Sequence, residues 1–147
     1  MSTTKKIDFV NLYDRFNKLS PGEKAELRRA SLKGELDLVS TYYDLIPDRK
    51  PTRSWERVFS FLPFVRHLEN RKSLGEQLAK GDRNVREARL FLMLRSPEPN
   101  DLKQLQRMVL QVEPAVDWQV FGEQLYYWNK TNKRRIVEDY FMNKGES

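Results

Sequence analysis

The chain has 147 residues and a formal net charge of +6, with no cysteine and a single histidine. That length suits about one domain, and the lack of Cys excludes disulfides, thiolate chemistry, zinc fingers and iron–sulfur clusters. No apolar run approaches the roughly 18 residues of a membrane span, and no signal-type segment follows Lys5-Lys6, so the chain reads as soluble, unexported and cytoplasmic.

Phe9, Leu12, Phe16 and Leu19 recur at helical spacing and predict a first helix. Ser20-Pro21-Gly22-Glu23 then reads as an N-cap, a first-turn proline and a capping-box acid, which starts a second helix carrying Ala25, Leu27, Ala30 and the pair Arg28-Arg29. A third helix has Val39, Tyr42, Tyr43 and Ile46 on one face and stops at Pro47. The charged stretch from Pro47 to Thr52 is a loop.

Trp55, Val58, Phe59 and Leu62 form the next apolar face, with Arg53 and Arg57 projecting together from another. Pro63 predicts a kink or break. After a polar turn from Glu69 to Ser73, Leu74 to Ala79 predicts a short helix closed by Gly81, and Val85 to Arg95 predicts another. In the latter, Leu90 to Leu94 is apolar all round, which predicts burial of that end and leaves Arg86 and Arg89 at the wet end.

Beyond the break at Ser96 to Pro99, Asn100 reads as the N-cap of a helix whose inward face is Leu102, Leu105, Val109 and Val112, with Lys103 and Arg107 outside it. Pro114 ends it. Asp117 reads as the next N-cap, followed by an inward face of Trp118, Phe121, Leu125 and Trp128, and the last helix carries Ile136, Val137, Tyr140 and Phe141. No segment alternates with period two over strand length. The expectation is an all-α bundle of about eight to nine helices in two packed halves, a subdomain at 1–96 and another at 97–147.

Catalytic chemistry finds little support. Glu113 with Asp117, and Glu138 beside Asp139, are the carboxylate pairs to weigh, but a helix cap and helix-surface pairing with Arg134 and Arg135 account for them. His67 has no Cys or second His to complete a nucleophile pair or metal shell and reads as a surface or interface residue. No glycine-rich loop precedes a helix in phosphate-cradling spacing. The chain therefore reads as a non-enzyme with no metal, cofactor or small-molecule substrate. Trp55, Trp118, Trp128 and Tyr140 fall on apolar faces and read as core rather than base-stacking platforms, while one of Tyr126 and Tyr127 must point away.

The charge is unevenly placed. Residues 49–95 hold twelve Lys/Arg, nine of them Arg, against five Asp/Glu, while the remainder holds fifteen against sixteen. Guanidinium fits phosphate in two-point contact and stacks on bases, so a polyanion bearing bases is the natural partner. Solvated helix faces explain single residues, but not why Arg28-Arg29, Arg53/Arg57, Arg86/Arg89, Lys103/Arg107 and Lys130/Lys133/Arg134 recur on successive helices. If these align, they form a track for a phosphate backbone. The candidate contacts are Arg28, Arg29, Arg57, Arg66, Arg86, Arg89, Arg95, Arg107, Lys130 and Arg134. The alternative is a protein-only scaffold whose basic face docks acidic partner subunits.

Several motifs occur in order: Leu27-Arg28-Arg29, Tyr42-Tyr43 before Ile46-Pro47, Ser73-Leu74-Gly75 with Leu78-Ala79, the run from Arg89 to Arg95, and Leu105 to Val109. The sharpest is Glu113-Pro114-Ala115-Val116-Asp117-Trp118, followed by Tyr127-Trp128 and Val137-Glu138-Asp139-Tyr140-Phe141. On these the chain resembles the CasB family, the small subunit of the type I-E CRISPR complex Cascade, with a short segment between Leu62 and Ser73 where the family often has a longer connection. The resemblance implies a non-catalytic, all-helical protein of two subdomains, present in two copies stacked head to tail beside other Cascade subunits. It also implies binding to target DNA and guide RNA without sequence specificity, holding the hybrid and displaced strand as an R-loop, with cleavage left to a separate helicase-nuclease.

Overall fold

The computed structural model describes residues 6–69, 73–80 and 83–144, with backbone alone for 83–86. Among them are nine α-helices: α1 Phe9–Asn17, α2 Pro21–Lys33, α3 Ser40–Leu45, α4 Arg53–Phe59, α5 Leu74–Leu78, α6 Arg83–Arg95, α7 Asn100–Val112, α8 Trp118–Tyr126 and α9 Lys130–Asn143. The all-α reading holds. One feature departs from it: Arg66–His67 (β1) and Ala115–Val116 (β2) pair in parallel, Arg66 opposite Ala115. Two residues are too few to show a period of two, so this bridge has no signature in the sequence.

Local chemistry starts most helices where expected. At α2 the Ser20 hydroxyl accepts from the Glu23 N–H (3.2 Å) while the Glu23 carboxylate accepts from the Ser20 N–H (3.1 Å), and Gly34 at φ 69° closes the helix. Asp117 caps α8 by accepting from the Gln119 N–H at 2.9 Å. The expected cap at Asn100 is not there: Pro99 occupies that position and Asn100 is already helical. The first turn is served instead by buried Asp101, whose carboxylate accepts from the Leu102 N–H at 2.7 Å.

α1 and α4 pack on α8, α5 on α9, and α6 on both α7 and α9. One buried cluster runs through these contacts, joining Phe9, Trp55 and Phe61 to Trp118, Phe121 and Tyr140. Each large apolar side chain so buried contributes about 1.5–3 kcal/mol. Two glycines permit the closest approaches: a Cβ on Gly75 would fall 2.3 Å from the Ile136 carbonyl oxygen in α9, and one on Gly122 would fall 2.3 Å from the Phe9 ring.

Some expectations shift. α4 ends at Phe59, ahead of Pro63, and the turn that follows buries Phe61 and Leu62. In α6, Leu90 and Met93 are fully buried but Phe91 and Leu92 are 44% and 41% exposed, because the neighbouring helices cover only part of its circumference. Trp128 lies past the end of α8. The helix stop read at Gly81 lies outside the described residues.

Candidate nucleic-acid interface

Two surface grooves lie along the seam walled by α2 and α7. The first, about 380 Å³, is bordered by Lys33, Arg53, Arg57, Lys103, Gln106 and Arg107. The second, about 420 Å³, is bordered by Tyr13, Arg28, Pro63, Arg66, Leu110 and Glu113. α2, α7 and the segment after α4 wall both grooves, with Ser60 in the first and Leu62 in the second. From Lys103 to Glu113, α7 rises about 15 Å, the length of a few nucleotides of strand.

The seam cations differ in what occupies them. Lys33, Lys103 and Arg107 are exposed, and ion pairs among the described residues go to other cations: Lys6, Arg53, Arg57, Lys133, Lys144 and, if protonated, His67. Arg28 lies over the Phe64 ring at 4.7 Å with its side chain otherwise open to solvent. Arg66, also exposed, spends one Nη2 donor on the Glu113 carbonyl at 3.3 Å. Five unneutralised cations thus border a surface to which the lining contributes two carboxylates, Glu56 and Glu113.

Arg57 is placed differently. Its side chain is 11% exposed, and its Nε and Nη2 donate to the Leu125 and Tyr126 carbonyls, each at 2.6 Å. Nη2 also reaches the Ser54 hydroxyl (3.2 Å), and Nη1 reaches Glu98 (3.4 Å). These carbonyls end α8, where a cation meets the negative pole of the helix. Arg53 pairs with Glu56 at 3.6 Å and with Glu98. The guanidiniums of α4 are therefore held by the fold.

The remaining candidates scatter. Arg95 and Lys130 border a third depression of about 390 Å³ together with Glu98, Asp101 and Lys133. Arg29 on α2 and Arg134 on α9 are exposed and line none of these three grooves. Arg89 is not at a wet end: it is half-buried, donates to Gln104 at 3.3 Å, and has a buried Nε without a partner. The Arg86 side chain lies outside the described residues.

A polar knot beside the third depression was invisible in the sequence. Asp101, 1% exposed, accepts from Lys133 at 2.9 Å and from the Trp128 indole at 2.8 Å, and Lys133 also donates to the Ser96 carbonyl at 2.9 Å. Lys133 is thereby removed from the pool of available cations, and Trp128, partly buried against the core, also makes a polar contact. His67 is half-buried rather than superficial, and its Nδ1 accepts from the Trp118 N–H at 3.1 Å. That bond holds the ring against the start of α8. Burial pushes the Tyr42 hydroxyl well above the ordinary tyrosine range, helped by the charges of Glu56 and Asp37. Among the described residues, no three His, Asp or Glu side chains converge as metal donors, and no helix is long and apolar enough to cross a membrane.

Fold and surface together define an all-α bundle with exposed, unpaired cations along one helical seam and others elsewhere on its surface. Three comparisons give it a family. The model of the CRISPR-associated protein Cse2 family matches residues 23–141, and the chain belongs to that family. It is 27% identical, over an alignment 156 positions long, to the CRISPR system Cascade subunit CasB of Escherichia coli (strain K12), covering 96% of this chain and 97% of that one. Its fold matches a chain in the crystal structure of E. coli Cascade bound to a PAM-containing dsDNA target with a TM-score of 0.83, at 28% identity over 97% of this chain and 100% of the other. The CasB resemblance read from the motifs is thereby met.

Proposed function

We propose that this chain is a non-catalytic, sequence-independent nucleic-acid-binding subunit of a Cascade-type CRISPR complex, acting in the cytoplasm in two copies beside other Cascade subunits. It stabilises the guide–target hybrid and the displaced DNA strand. Family membership and the kinship with a Cascade subunit support the setting. The observation that carries the binding role is the α2–α7 seam, where Lys33, Lys103 and Arg107 stand exposed without carboxylate partners, beside Arg28 and Arg66. Opening a duplex against a guide is a nearly balanced exchange of one duplex for another, so modest backbone contacts suffice to tip it.

The test is the affinity of the full chain for a labelled single-stranded oligonucleotide as salt is raised. Each phosphate contact should add about −0.7 to the log–log slope, so the triple variant Lys33→Gln, Lys103→Gln, Arg107→Gln should flatten it by about 2. An unchanged slope would overturn the seam as the binding surface. Loss of assembly with intact oligonucleotide binding would favour the scaffold reading instead.

A further inference from the structure

The second groove differs from the first in its walls. Its lining is mixed in polarity but includes aromatic side chains, which the first groove lacks: Tyr13 is partly exposed there, and Phe64 lies under Arg28. A surface built only to follow phosphates gains nothing from such walls, since each apolar group left in water forgoes burial. Its volume of about 420 Å³ falls within the range of about 300–1,000 Å³ that small-molecule sites occupy.

Resting on the nucleic-acid reading above, we infer that this groove takes an unpaired nucleobase, stacked on the Arg28 guanidinium, while its flanking phosphates lie against Arg66 and the first groove. Arg28 is suited to this. Its guanidinium carbon lies 4.7 Å from the Phe64 ring centroid while the residue stays exposed, and guanidinium planes stack on unpaired bases. Glu113 also finds a use. A carboxylate repels phosphate, yet it accepts hydrogen bonds from the exocyclic amine of a base such as cytosine. Glu113 stands at the rim of this groove on the left-handed residue that ends α7, at φ 52°. A base inside a duplex has both faces stacked and cannot enter, so the groove favours single strands.

The experiment compares two labelled strands of equal length, an oligodeoxycytidine and one in which every nucleotide is an abasic linker, binding to the full chain. Phosphate count and charge are the same in both. The intact strand should bind at least about five-fold more tightly, the lower end of what stacking one base is worth. Arg28→Lys keeps the charge and removes the plane, and it should shrink that gap to under about two-fold while thermal melting confirms an intact fold. Equal affinity of the wild-type chain for both strands would overturn the base site. If the Lys33/Lys103/Arg107 variant still weakens binding to both, the seam survives without the base site. If that variant weakens neither, both fail together.

Discussion

Arg57 on α4 and Arg107 on α7 border the same groove, yet they belong to two chemically distinct regions. On the α4–α8 side every guanidinium has been taken up: Arg57 closes the carbonyl end of α8, and Arg53 is held by Glu56 and Glu98. On the α2–α7 side Lys33, Lys103 and Arg107 face solvent with no carboxylate partner. A buried donor that loses its acceptor costs the fold its desolvation, whereas an exposed cation costs almost nothing to keep and remains available to an anion. The count of arginines in a region therefore says how much guanidinium is present, and their burial says how much is free to bind.

That contrast can be broken experimentally. The largest effect should come from the polar knot: Asp101→Ala leaves Lys133, 12% exposed, without its counter-charge and frees the Trp128 indole. Removing one partner of a buried pair costs about 3–5 kcal/mol, read as a lower denaturation midpoint. Arg57→Ala should follow, at about 2–3 kcal/mol, since hydrogen bonds from a charged donor are worth about 1.5–3 kcal/mol each and relaxation recovers part of the loss. Affinity for single strands per folded molecule should stay near the wild-type value. A large fall in affinity without a fall in stability would place Arg57 with the binding cations after all.

The seam variants should behave in the opposite way, weakening nucleic-acid binding while moving stability by no more than about 0.5 kcal/mol. The smallest effect belongs to Tyr42, whose buried hydroxyl has no hydrogen-bond partner. Tyr42→Phe should be neutral or slightly stabilising, because an apolar replacement removes an unmet desolvation cost. Since burial raises the folded-state value, the unfolded chain releases this proton first, above about pH 10. The wild type should thus lose stability as pH rises through that region, and the phenylalanine variant should lose less.

Local features were legible from sequence because their partners are a few residues apart. The Ser20–Glu23 capping box and the Asp117 cap need only neighbours within three positions, and they form as expected. Arg57 was not legible as a clamp: its carbonyl partners at Leu125 and Tyr126 lie 68 and 69 residues away, and no spacing rule reaches that far. Asn100 looked like a cap, yet Asp101 served the helix start, a choice made by burial against Trp128 and Lys133. Lys103 and Arg107 could be paired from their helical spacing. That Lys33 and Arg53 would border the same groove depends on how α2, α4 and α7 pack, which periodicity does not encode.

The short parallel bridge bears on how tightly the seam can hold a strand. The Arg66 backbone N–H is tied to the Pro114 carbonyl at 3.1 Å, that of Leu68, two residues on, to the Val116 carbonyl at 2.8 Å, and the Arg66 guanidinium to the Glu113 carbonyl. The backbone that carries that arm is therefore fixed during folding, and one contact already orients its guanidinium. Lys33, exposed in the last turn of α2 beside Gly34, must instead be immobilised when a ligand arrives, at about 0.5–1.5 kcal/mol for a long side chain. Of two equal charges on this surface, the one already at rest should give the slower release.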